Sequence, residues 1–230
     1  MAVFNLFKLS MLLSLLSNSN GSKLPEIPGH HVGELPLPCS SIECPGYDTI
    51  HSGNGYEIRR YNSSVWMSTA AIEDISIVEG TRTGFLQLFD YIQGNNNYSE
   101  KIEMTAPVLT EVSPSDGPFC ATSFVVSFYV PKENQPDPPP AEGLHVQKWD
   151  QQYVAVRQFG GFVSDLTVGE EAAALQESLF GTVWSAAIEK SHAGETATIY
   201  SVAQYNSPFE FDNRVNEIWF LFSMEDEFAV

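Results

Sequence analysis

Tyr56-Glu-Ile-Arg-Arg-Tyr61 and Tyr153-Val-Ala-Val-Arg-Gln-Phe159 are two alternating, aromatic-ended runs near the heads of the two halves of the chain. Each opens the same succession. In the first half, Tyr56–Tyr61 and Val65–Ala70 read as strands with Asn62-Ser63-Ser64 as a hairpin turn between them. A helix is expected over 74–93, where Val78, Phe85, Leu88, Phe89 and Ile92 recur mostly three, four or seven apart, and Gly94-Asn95-Asn96-Asn97 ends it. Strands follow at Met104–Val112 and Thr122–Val130. In the second half, Leu144–Trp149 and Tyr153–Phe159 read as a hairpin. A helix over 167–190 carries Val168, Ala172, Leu175, Leu179, Val183 and Ala186, with Gly181 able to split it, and the last strands are Thr198–Tyr205 and Asn216–Phe222. Pro131 to Gly143 is too rich in proline for a helix or central strand. Ala106-Pro107 and Ser207-Pro208 occupy matching places. A period of about 100 residues is far longer than a solenoid unit, so this is an internal duplication. Two sheet-plus-helix halves that bury their apolar faces on one another give a single α+β domain: a strongly twisted sheet or barrel flanked by two helices.

Composition narrows the function. The 230 residues hold 11 Lys+Arg against 29 Asp+Glu, a net charge of −18, which argues against general nucleic-acid binding and against adhesion to anionic membranes. Only 17% of residues are charged while 43% are hydrophobic, so the chain is a folded domain and not an acidic tail.

Residues 1–20 read as a signal peptide: Lys8, then an apolar run from Leu9 to Leu16, then Ser17-Asn18-Ser19. The run is too short to span a bilayer. Residues 21–46, rich in Pro and Gly, read as an extended linker to a domain at 47–224, with an acidic tail at 225–230. Asn62-Ser63-Ser64 and Asn97-Tyr98-Ser99 are N-glycosylation sequons. Cys39, Cys44 and Cys120 allow one disulfide and leave one thiol over. Cys44–Cys120 would contribute about 4 kcal/mol by loop closure and Cys39–Cys44 about 2 kcal/mol, and the spacing does not choose between them. The expected location is the secretory pathway, ending outside the cell or in the vacuole, with a cytoplasmic location as the alternative.

No catalytic signature is present: no GxSxG, HExxH, P-loop or GxGxxG. His30, His31, His51, His145 and His192 are scattered and not spaced as a ligand set, so no metal site is expected. What remains is an apolar cleft. Trp66, Met67, Phe85, Phe89, Met104 and Val108 flank the first helix and its strands, either as ordinary core or as the lining of a ligand cleft.

From about Tyr47 to Phe222 the chain resembles the SOUL haem-binding protein family. The matching stretches are Gly55-Tyr-Glu-Ile-Arg-Arg-Tyr61, Thr83-Gly-Phe-Leu-Gln-Leu-Phe-Asp-Tyr-Ile-Gln-Gly94, Lys101-Ile-Glu-Met-Thr-Ala-Pro-Val108, Gly117-Pro-Phe119, Tyr205-Asn-Ser-Pro208 and Arg214-Val-Asn-Glu-Ile-Trp219, in family order. The leader and the C-x4-C segment make the chain look like a plant secretory-pathway branch. The resemblance implies a distorted β-barrel of two similar halves with two flanking helices. It also implies binding of haem or another tetrapyrrole, non-covalently, in a hydrophobic cleft beside the first helix. A basic residue on that helix would contact the propionates; the matching position is Arg82, whose guanidinium suits a carboxylate, the alternative being a pair with Glu79.

Where one branch of the family carries an axial His, this sequence has Arg60, which cannot ligate iron while protonated. Asp90 and Glu210 stand at positions that are basic in some relatives. Weak, reversible binding without His ligation is therefore expected, a fifth iron ligand requiring an unexpected side chain such as His51 or Tyr61. The expected ligand contacts are Arg82, Phe85, Phe89, Met104, Lys101 and Trp66. The leading function is a monomeric tetrapyrrole carrier or buffer. The alternatives are a protein-interaction module using the same cleft, and an enzyme acting on a small hydrophobic compound with a raised-pKa carboxyl such as Glu103 or Glu57.

Overall fold

A computed structural model describes residues 31–114, 122–193 and 198–224. The signal-peptide reading, Cys120 and the acidic tail lie outside them. Nine strands are arranged as β1 (His31–Val32), β2 (Tyr47–Ser52), β3 (Glu57–Thr69), β4 (Ile72–Asp74), β5 (Val108–Pro114), β6 (Thr122–Tyr129), β7 (Leu144–Phe159), β8 (Tyr200–Gln204) and β9 (Asn216–Phe222). The α-helices are α1 (Ile77–Ile92), α2 (Asp165–Leu179) and α3 (Val183–Ser191).

Pairing runs β3-β7-β9-β8-β5-β6 and returns to β3, closing a six-stranded antiparallel barrel; β1 and β2 extend from one end of β3, and β4 lies on β6. The duplication is visible in this ring. β3-α1-β5-β6 is answered by β7-α2-α3-β8-β9, the β3–β6 pairing matches β7–β9, and the copies join through β3–β7 and β5–β8. Closure removes the exposed edges that six strands would otherwise leave open.

The expected hairpins are replaced by two long strands. Residues 57–69 and 144–159 each run straight through the presumed turns, pairing with one another from Glu57↔Val156 to Thr69↔Leu144. Asn62-Ser63-Ser64 is an irregularity within a strand. Tyr61 and Trp66, five residues apart, would face opposite sides of a regular strand, yet both pack in one cluster with Trp149, Val154 and Trp219. Ser63, at φ +54°, changes the parity between them. Met104–Pro107 is a loop, and the strand expected from Met104 begins at Val108. The single second helix is divided: Gly181, at φ +73°, separates α2 from α3. From residue 31 the Pro/Gly-rich stretch docks on the barrel. β1 pairs with β2, Leu37–Ser40 forms a short 3-10 turn, and Cys39–Cys44 is the disulfide formed, which excludes Cys44–Cys120.

Three apolar clusters result. One fills the barrel; one lies under α2 and α3, centred on Ile58, Leu175, Ile218 and Phe222; one lies under α1, centred on Met67, Leu88, Val126 and Phe128. The helices are tied at their starts. The Asp165 carboxylate accepts hydrogen bonds from Ile77 N (2.7 Å) and Ser76 Oγ (3.0 Å), so the first residue of α2 caps α1.

Candidate functional site

The face that α1 buries is made of small residues. Ile77, Gly80, Thr81, Gly84, Leu88, Tyr91 and Ile92 turn inward. A Cβ at Gly80 would meet the Phe124 ring at 2.5 Å, and one at Gly84 would meet Val126 Cγ2 at 2.4 Å, so the helix lies directly on β6. This close seat rotates larger apolar residues to the outside. Val78, Leu86 and Phe89 are exposed, Phe89 to 39%, and Phe85 is half-buried. Spacings of four, four and three place Val78, Arg82, Leu86 and Phe89 along one stripe. The apolar periodicity of this helix thus straddles two faces, and only Leu88 and Ile92 of the five expected residues belong fully to the buried one.

On the stripe, Phe85 stacks on Phe89 (5.7 Å between centroids) and meets Phe128 edge-on at 5.4 Å. Met104 and Val108, partly buried, pack on the same cluster. Arg82 is the cation of the stripe; its side chain is 70% exposed and its Nη1 lies 3.4 Å from the Glu79 carboxylate. Asp90 follows at the C-terminal end of the stripe, and Lys101 is exposed on the following loop.

Directly beneath α1 the packing is tight. The gap under α1 between Met67, Tyr91, Ile102, Phe128 and Val130 measures about 10 Å³, room for one water. A macrocycle does not fit that gap; a wider cleft of about 530 Å³ lies beside the C-terminal half of α1, bordered by Gln87, Asp90, Tyr91 and Leu144. Trp66 is not part of the stripe: it is fully buried in the barrel, beside Trp149 at 5.0 Å and Tyr129 at 5.6 Å, with its indole N–H donated to Ser64 Oγ. Leu86 was missing from the expected set, although its place four residues from both Arg82 and Asp90 marks it.

Neither alternative iron ligand joins the stripe. Tyr61 is inside the barrel, and His51 packs against Tyr56 and Trp184. Arg60 pairs with Asp48 at 2.8 Å. Among the described residues no group of three His, Cys, Asp or Glu is placed to hold a metal. Glu57 is occupied by Arg59 at 2.9 Å, and Glu103 is exposed on the loop bordering the small gap. The carboxyl that burial pushes upward is Glu111, two residues beyond Leu109 on β5, a rise that hydrogen bonds from Gln147 and from Thr198 Oγ1, at 3.3 Å, partly offset.

A second polar centre lies in the barrel. Arg59 Nη1 stands 3.0 Å from the Glu217 carboxylate, which also accepts from Tyr205 O–H (2.9 Å) and Trp219 Nε1–H (2.7 Å). Burial works against the charge on Arg59, and Glu217 with the Tyr61 and Tyr205 phenols outweighs it, holding the guanidinium protonated. The Arg59 end of the barrel opens on a groove of about 520 Å³ walled by Glu34–Leu37, Ser52, Gly53, Gly55–Glu57 and Arg157.

The family model described as "SOUL heme-binding protein" matches residues 42–221. The chain is 37% identical over 187 residues to Heme-binding protein 2 of Homo sapiens, covering 79% of this chain and 86% of that one, and 36% identical over 170 residues to the Mus musculus protein of that name, covering 72% and 77%. It is 27% identical over 171 residues to Heme-binding protein 1 of Xenopus laevis, covering 74% and 84%. The chain belongs to the SOUL heme-binding protein family.

Proposed function

We propose that this protein binds haem or a related tetrapyrrole, non-covalently and reversibly, and serves as its carrier or buffer. The observation that carries this reading is the outer face of α1, where exposed Val78, Leu86 and Phe89 and half-buried Phe85 offer apolar surface around a cation, Arg82. A flat macrocycle gains affinity from the apolar area it covers, at about 25 cal/mol per Å² before association costs. Arg82 orients a propionate, and Met104 and Lys101 border the face. With an open face and no histidine on it, iron ligation contributes little and exchange is fast. Hemin titrated into the purified protein is expected to give a Soret shift that saturates in the micromolar range. Absence of a saturable shift, or a shift unchanged by Leu86→Asp, would overturn the reading.

We further infer a secreted or vacuolar protein of the plant secretory-pathway type. The apolar run at 9–16, the C-x4-C pair joined as Cys39–Cys44, and the exposure of Asn62 and Asn97 support it. Asn62 Nδ2 is engaged by Asp48 at 2.9 Å, which favours Asn97 as the acceptor. Peptide-N-glycosidase treatment of the secreted protein tests this: a mobility shift lost in Asn97→Gln is expected, and no shift overturns it.

A further inference from the structure

The turn that follows α1 is heavily fastened. Asn96 Oδ1 accepts from Tyr98 N and Glu100 N, both at 3.1 Å, and Asn96 Nδ2 donates to Tyr91 O (3.0 Å) and Glu100 O (2.7 Å). Three further bonds tie the turn to the Pro-rich loop. Asn97 N donates to Pro140 O (2.8 Å), Asn134 Nδ2 to the Glu100 carboxylate (2.7 Å) and the Tyr98 O–H to the Asp137 carboxylate (3.2 Å). The Asn-rich turn and the Pro-rich loop, which the haem face does not use, thus form one unit. It holds the Asn97 backbone in a fixed place and leaves the Asn97 side-chain amide exposed, with no partner among the described residues.

That place is the rim of the 530 Å³ cleft beside the C-terminal half of α1. The volume lies within the range of about 300–1,000 Å³ usual for small-molecule sites. Tyr91, Ala141 and Leu144, buried or half-buried, supply apolar wall. Gln87, Asp90 and Glu142 stand exposed around it, and among the described residues no hydrogen bond or ion pair holds their side chains. No Lys or Arg is among the described residues that wall it. Two unpaired carboxylates repel haem propionates, so the cleft has room for a ligand but the wrong charge for the macrocycle on the neighbouring face. It suits a neutral, hydroxyl-rich molecule with an apolar side: hydroxyls donate to the carboxylates, in the stronger, charge-assisted kind of hydrogen bond, and C–H groups rest on Leu144.

We propose that this cleft is the seat of an N-linked saccharide carried on Asn97, the first residue of the sequon Asn97-Tyr98-Ser99, with its first N-acetylglucosamine packed between α1 and residues 141–144. Attachment takes the sugar from a lipid-linked pyrophosphate donor. The bond from Asn97 Nδ2 to the anomeric carbon forms, the bond from that carbon to the pyrophosphate oxygen breaks, and the released pyrophosphate takes up the amide proton. A sugar with weak affinity for the cleft stays in it because the tether at the rim gives an effective concentration of about millimolar or more. The seated sugar bounds the α1 stripe at its Asp90 end. The seat rests on the reading of Asn97 as the glycan acceptor, and the test separates the two.

The full chain is secreted from a eukaryotic host and trimmed with an endo-β-N-acetylglucosaminidase that leaves one N-acetylglucosamine on asparagine; Asn97→Gln from the same host is the reference. Mass spectrometry reads the occupancy of Asn97. Expected are nuclear Overhauser contacts between sugar protons and the Leu144 methyl groups, and amide exchange across residues 93–97 and 141–144 slowed about tenfold against the reference. Asp90→Ala combined with Glu142→Ala should abolish both effects while Asn97 stays modified; contacts that survive it overturn the part given to the carboxylates. A modified Asn97 with no contact to Leu144 and exchange equal to the reference overturns the seat and leaves the acceptor reading standing. An unmodified Asn97 in the secreted protein overturns both.

Discussion

Arg82→Glu is the perturbation that bears most directly on the α1 face. Among the described residues Arg82 is held by Glu79, at 3.4 Å, and both side chains are largely exposed. An exposed ion pair is worth about 0.2–1 kcal/mol, and a propionate competing for the guanidinium in the same solvent draws on a similar energy. Removing the cation should therefore cost about 1 kcal/mol of haem affinity, and reversing it adds a repulsion of like size. The total of about 2 kcal/mol corresponds to roughly a thirtyfold rise in Kd. Glu79→Gln works in the other direction: it frees the guanidinium and removes a neighbouring negative charge, for an expected gain of about threefold. Hemin titration at low and high salt measures both, because screening should shrink the two effects together. Neither substitution touches the core, so thermal unfolding should move by no more than about 0.5 kcal/mol. If Arg82→Glu and Glu79→Gln both leave Kd within twofold of wild type at low salt, Arg82 does not receive the propionates and the ligand lies elsewhere.

Leu86→Asp and Phe89→Asp place a carboxylate in the apolar stripe and should each weaken hemin binding at least as much as Arg82→Glu without lowering the urea midpoint; loss of stability instead of affinity would mark these residues as core. Glu217→Gln leaves one of Arg59, Tyr205 and Trp219 without an acceptor in a buried site, and urea unfolding should report a loss of about 3–5 kcal/mol, as for other broken buried pairs; a loss under 1 kcal/mol would mean that water already reaches this centre. Burial raises the Glu111 pKa above its usual value of 4.5. Stability from its protonated form is therefore full below that value and is lost as pH rises through the higher, folded-state value. Glu111→Gln should flatten that decline and stabilise the protein at neutral pH, and parallel stability curves for the two proteins would refute it.

The sequence pattern carries the duplicated α+β barrel and the position of α1, because apolar period and repeat order are local properties. It does not carry the length of β3 and β7. Asn62-Ser63-Ser64 has turn composition, yet the strand continues, because a left-handed Ser63 keeps both Tyr61 and Trp66 facing the interior while pairing to β7 resumes. Nor does it reveal which face of α1 is covered. Periodicity groups Val78, Phe85 and Phe89 with Leu88, and only the seating of Gly80 and Gly84 against Phe124 and Val126 turns the larger residues outward. Trp66 shows the same limit: it neighbours Met67 in sequence, but alternation sends one ring into the barrel and the other side chain under α1.

The duplication also sets the ligand face we propose on α1 apart from its counterpart on the second helix. α2 occupies the place equivalent to α1, but it seats Val168, Ala172, Leu175 and Leu179 inward and carries Asp165, Glu170, Glu171 and Glu177 with no Lys or Arg. Asp165 is turned to the start of α1 and Glu171 is paired with Arg157 at 2.6 Å, which leaves Glu170 and Glu177 as the exposed charges of α2, where a dianionic macrocycle would meet repulsion and not the apolar cover of α1. On a chain of net charge −18 this local contrast, and not the overall field, decides where an anionic ligand rests. In the proposed mode of binding it also sets a limit on affinity: the long-range field opposes approach, so the apolar stripe would supply the favourable term and Arg82 the orientation. Raising ionic strength should then speed hemin association while weakening the contribution of Arg82, two opposed effects that separate in a stopped-flow measurement of on-rate and off-rate. An on-rate that falls with added salt would show that local attraction at Arg82 outweighs the field of the whole molecule.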